Sequence, residues 1–184
     1  SAFRDCHDAE QVRSVWKSLD RDERNDPELI LGIVTRMLEV SSQEADPDAT
    51  LVRAREWLEP MLDQYARLPQ DLRAVFVRVM VRLIPGTDSD WVGRIESLQR
   101  EQPVDAGLMF LAGETFFHRR LWGKASVLFH QAARTLNEPA LKTRAWCRLA
   151  QLAEERGERE AAVDAWKEAA KAALGEGVAK WELT

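Results

Sequence analysis

The stretch RRLWGKASVLFHQAARTL, residues 119–136, alternates side-chain size along one run. Gly123, Ala125 and Ala132 are small, whereas Trp122, Leu128, Phe129 and Leu136 are large. Residues three and four apart share a helix face. Small-x3-aromatic-x2-small therefore sets a bulky ring between two points where a neighbouring helix can come close. This reads as a packing code between helices, and less readily as a ligand pocket.

The code returns. Ala125-x3-Phe129-x2-Ala132 is matched by Ala162-x3-Trp166-x2-Ala169, 37 residues later. In the helices before them, Met109-x2-Ala112-Gly113-x2-Phe116 corresponds to Trp146-x2-Leu149-Ala150-x2-Ala153, with Gly157 in the second turn. Earlier and weaker copies fall on Trp91, Ile95 and Leu98, and on Ala54, Leu58 and Met61. The pattern resembles the tetratricopeptide repeat, whose two helices carry W-x2-L-G-x2-Y and then A-x3-F.

The expected architecture is all-α: one domain, 1–184, built as a tetratricopeptide-like array of stacked antiparallel helical hairpins, an α-α superhelix. Degenerate hairpins occupy 8–67 around a polar linker at 41–50, and a degenerate repeat follows at 72–100. Clear repeats span 104–136 and 138–174, before a tail at 175–184. Asp26-Pro27-Glu28 is a helix start, with an acidic cap and proline in the first turn. Pro60 should bend or split a helix at 49–67 near Glu59. LRAVFVRVMVRLI, 72–84, has strand-like alternation of valines, but thirteen residues is long for a strand. A helical period gathers Leu72, Val75, Phe76, Val79, Met80 and Leu83 on one face, so helix is favoured.

The 184 residues carry 26 basic and 31 acidic side chains, with the signs interspersed and a net charge of -5. Such a balance gives no support to a nucleic-acid surface. From residue 101 onward there are 12 basic and 12 acidic residues, so the deficit lies in 1–100. Cys6 and Cys147 are isolated, which suits a reducing compartment without excluding one disulfide. No apolar run is long enough to span a bilayer. Because the chain begins with Ser, it reads as a soluble piece of something larger.

Leu111-Ala112-Gly113, Arg119-Arg120-Leu121-Trp122-Gly123-Lys124-Ala125, and Leu149-Ala150 with Trp166 together resemble the HemY family. These are inner-membrane proteins of proteobacteria associated with late protoheme IX synthesis. The resemblance covers 91–174 best and 49–100 more loosely. It implies a membrane-anchored parent protein with two transmembrane helices ahead of the soluble domain, which lies on the cytoplasmic side. The implied partners are other proteins, late heme-synthesis enzymes among them. The linker at 41–50, Pro60 and the valine-rich 72–84 depart from the repeat pattern.

No residue is marked for catalysis. There is no G-x-S-x-G, no Gly-rich phosphate loop and no H-E-x-x-H. Cys6-His7-Asp8 is a poor metal cage, and His118 and His130 read as surface residues without heme-ligand spacing. No metal or cofactor is expected. The better site is a groove on the first helices of the stacked hairpins. Its candidate residues are Arg73, Phe76, Met80, Phe110, Glu114, Phe117, Arg144, Cys147 and Gln151, with core packing as the alternative for the three phenylalanines. Aromatic and arginine side chains suit a peptide or partner helix. The alternative is heme or porphyrin binding, with Arg73, Arg144 and Arg148 meeting the propionates.

Overall fold

The computed structural model describes residues 2–175. All regular structure among them is helical. The tail expected at 175–184 lies, beyond Gly175, outside the described residues. The chain divides into two compact units, 1–94 and 95–184.

The first unit opens with a 3-10 turn, Ala2–Asp5, followed by α1 (Ala9–Ser18), α2 (Pro27–Ser41), α3 (Pro47–Leu58), α4 (Pro60–Gln64) and α5 (Gln70–Leu83). Helix α6 (Ser89–Glu101) begins in this unit and runs past its end. Capping explains the boundaries. The Asp8 side chain accepts the Gln11 N–H at 2.8 Å and opens α1. Asp26 does the same for Glu28 and Leu29 at the head of α2, with Pro27 in the first turn. Asp46 accepts from Ala49 at 3.1 Å, so α3 starts at Pro47 and the expected linker shrinks to 42–46. Proline cannot continue the backbone ladder, and the chain breaks into α3 and α4 at Pro60. The valine-rich segment is helical, as α5.

Helix α2 is the centre of this unit, with α1, α3 and α5 all packed on it. Ile30, Ile33, Val34 and Met37 meet a core completed by Leu58, Met61, Tyr65, Phe76 and Met80, all shut from solvent. Trp16 stacks on Trp57 with ring centres 4.6 Å apart.

The second unit contains α7 (Ala106–His118), α8 (Trp122–Thr135), α9 (Pro139–Glu155) and α10 (Arg159–Leu174). Consecutive helices pack on one another across short turns, α7 on α8, α8 on α9 and α9 on α10, and α7 also touches α9. The two hairpin turns match residue for residue at the 37-residue offset. Leu121 N–H reaches the Phe116 carbonyl at 2.9 Å, and Glu158 N–H reaches Ala153 at 2.9 Å. Between them, Arg120 and Gly157 take the left-handed conformation, with φ of 59° and 71°.

The opening size code is realised at Gly113. A methyl group on this residue would collide with the Phe129 ring, which is itself fully buried against Phe110 at 5.7 Å. Ala125 and Ala132 are buried as expected. Gly123 is different: it is exposed, faces open space and plays no part in packing. Trp166, the counterpart of Phe129, stays 39% exposed and donates its indole N–H to Glu154 at 2.7 Å.

Candidate functional site

Helix α7 is largely apolar and carries a single carboxylate, Glu114. A buried charge must be paired or it destabilises the fold. Its partners come from its own helix and from α9. His118 follows four residues later, placing Nε2 3.6 Å from Glu114 Oε2. On α9, Arg144, Arg148 and Gln151 share a face because they are spaced by four and three residues.

Arg148 grips the carboxylate with both arms of its guanidinium, Nε donating to Oε1 at 2.7 Å and Nη2 to Oε2 at 3.0 Å. Arg144 Nη2 stands 3.5 Å from Oε2. The third arm of Arg148 donates to Gln151 Oε1 at 3.0 Å, and its plane lies 4.2 Å from the centre of the Phe117 ring. Glu114 is fully enclosed, while Arg144 remains 45% exposed at the edge.

The electrostatics follow from this arrangement. Burial alone would push the Glu114 carboxyl up. Its neighbours His118 and Arg148, with the charge of Arg144 beyond, outweigh burial and hold it down at about 2. A carboxylate so held stays ionised at neutral pH, with both oxygens engaged, and cannot act there as a general base. It is a fastener between the first helices of two hairpins. Beside it opens a hollow of about 310 Å³, lined by Phe117, Arg148 and Gln151, with Trp122 and Glu154 at its rim.

The structure brings together Glu114, Phe117, Arg144 and Gln151 from the expected groove. Cys147 lies half-buried on α9 as a free thiol. Phe76, Met80 and Phe110 take the other course: all three are fully buried in their units. Helix α5 is packed against both α2 and α3, and Phe110 is wedged against Phe129, so these side chains offer no surface to a partner. Arg73 belongs to the first unit, where Nε and Nη2 donate to the Leu68 and Ala66 carbonyls and the guanidinium covers the Tyr65 ring.

Sequence reasoning named Arg148 only as a possible propionate partner and His118 only as a surface residue. The signal for both was present: a lone carboxylate in an apolar helix requires cations, and Arg148 lies 34 residues on, close to one repeat. Elsewhere Cys6 is buried, which pushes its thiol up, while His7 is exposed. His130 is more than a third exposed, and its partial burial, with the charges of Arg134 and Arg156, lowers its pKa. Among the described residues no cluster of His, Cys, Asp and Glu could hold a metal ion, and no helix is long and apolar enough to cross a membrane.

No family model, curated protein or solved structure matches this chain.

Proposed function

We propose that this chain is a non-catalytic protein–protein interaction scaffold, a tetratricopeptide-like stack of hairpins that docks a partner on the α7/α9 face. The observation that carries the reading is that face itself. Phe117 and Gln151 flank an open hollow, and Arg148, mostly buried and already oriented by Glu114, presents a guanidinium stacked on an aromatic ring. Rigid aromatic and arginine side chains dominate affinity in protein interfaces because little ordering is needed on binding. The repeated turn geometry at 37 residues supports the stack. On the residues that resemble HemY, the proposal extends to the soluble part of a membrane-anchored protein on the cytoplasmic side of a proteobacterial inner membrane. Late enzymes of protoheme IX synthesis are then the proposed partner class.

The test is capture of proteobacterial membrane proteins on the immobilised chain. The reading expects a discrete partner that is lost with Trp122→Ala or Arg144→Glu and kept with Lys167→Glu on α10. Equal capture by all three variants would place the interaction elsewhere. The arginines suggested for tetrapyrrole propionates are engaged internally, Arg144 and Arg148 with Glu114 and Arg73 with backbone carbonyls. No observation favours that second reading.

A further inference from the structure

Glycine in the middle of a helix needs a reason, since only proline is a poorer helix former. Gly32 lies mid-way along α2, and the Phe3 ring sits directly over it, so that any side chain there would strike Phe3 Cζ. Among the described residues there are two such glycine–aromatic seats. In the seat of Gly113 the ring of Phe129 has no exposed surface and belongs to the core. In the seat of Gly32 the ring is only half-buried and comes from the four-residue turn Ala2–Asp5. It stands at the side of an open groove of about 730 Å³ between α2 and α5.

The turn is tied through Cys6: its N–H donates to the Phe3 carbonyl at 3.3 Å, its Sγ to the Ala2 carbonyl at 3.6 Å, and Arg36 donates to the Cys6 carbonyl through Nε and Nη2. Beneath the ring the groove has an apolar floor that includes Leu29, Leu72 and Val75. Once the turn is set aside, its rim carries Asp26, Glu28 and Glu39 against Arg36 alone. Asp26 caps α2 and Glu39 pairs with Arg36, which leaves Glu28 open to an incoming cation.

We propose that the α2/α5 groove is a docking site for an aromatic–basic peptide segment of a partner, and that the turn Ala2–Asp5 occupies it as a resident competitor. Two observations specify the occupant. The seat is shaped for an aromatic ring, as Phe3 demonstrates, and the acidic rim complements a neighbouring cation, the place Arg4 holds in the turn. The groove belongs to the first unit, so this inference stands or falls apart from the α7/α9 reading.

The experiment is fluorescence anisotropy with a fluorescein-labelled decapeptide carrying two Phe-Arg steps. The full chain must release its own turn before it can bind, so affinity for Phe3→Ala should be at least about tenfold higher than for the unsubstituted chain. Adding Gly32→Leu to Phe3→Ala fills the seat and should abolish binding. A Phe-Glu version of the peptide should bind at least about tenfold more weakly, because the rim repels it. Equal affinity for the unsubstituted chain and Phe3→Ala, no binding to a folded Phe3→Ala, or indifference to Gly32→Leu would overturn the proposal. Should Phe3→Ala fail to fold, methyl NMR of the unsubstituted chain decides: the Phe-Arg peptide should shift Leu29, Leu72 and Val75 first, and shifts elsewhere or nowhere would overturn it.

Discussion

Glu114 is the residue on which the second unit turns. Replacing it with glutamine leaves the Arg148 guanidinium, mostly buried, without its counter-charge. Glu114→Gln should therefore cost about 3 kcal/mol at neutral pH, read from chemical denaturation. The acid limb offers a sharper test. The folded carboxyl is held at about 2 by its cationic neighbours, below its ordinary range. The stability it contributes is complete above about pH 5 and is lost as pH falls through 4 toward 2, on the order of 3 kcal/mol in all. Glu114→Gln should flatten that loss; a profile parallel to the parent between those limits would show that the ion cluster carries no such linkage. Gly113 is the second pressure point. Gly113→Ala raises helix propensity yet pushes a methyl group into Phe129, a ring with no room to retreat. Overpacking should win, with a net loss of about 1–2 kcal/mol in thermal or chemical unfolding; a stabilised variant would mean that the ring can shift.

At the scale of elements, the two hairpin turns form a natural comparison. Gly157 takes its left-handed conformation without steric cost, whereas Arg120 adopts it with a full side chain. Arg120→Gly should stabilise the second unit by about 1 kcal/mol, and Gly157→Ala should destabilise it by a similar amount. Unchanged stability in both would separate the matching turns from the energetics of the repeat. Several helix limits were legible because their causes are local: Asp26 caps, Pro60 interrupts, and Gly157 turns. The ambiguous 72–84 segment was decided by length, and its helix is covered from two sides. What local pattern misjudged was Gly123, a small residue in the right rhythm with nothing opposite it. Composition states size, but not whether a neighbour arrives.

For the whole molecule, the same limit governed the site. Phe76, Met80 and Phe110 lay on the helices expected to line a groove, yet periodicity cannot say how many sides of a helix other helices will cover. Glu114, Phe117, Arg144 and Gln151 were legible as residues on the first helices of the hairpins that the packing pattern leaves over. The fastening of Glu114 by Arg148 was signalled only by the 34-residue spacing, since the sequence shows the charges and not which pair closes. The scaffold reading and the tetrapyrrole reading differ in what meets the α7/α9 face. Binding of heme or protoporphyrin IX, followed by the Soret band and tryptophan fluorescence, should show no saturable change at tens of micromolar. The most direct measurement is photo-crosslinking in intact cells with a benzophenone amino acid placed in turn at Trp122, Gln151 and Lys167. The scaffold predicts discrete protein adducts from Trp122 and Gln151 and none from Lys167 on α10. Adducts from Lys167 alone, or no protein adduct from either position beside the hollow, would contradict it.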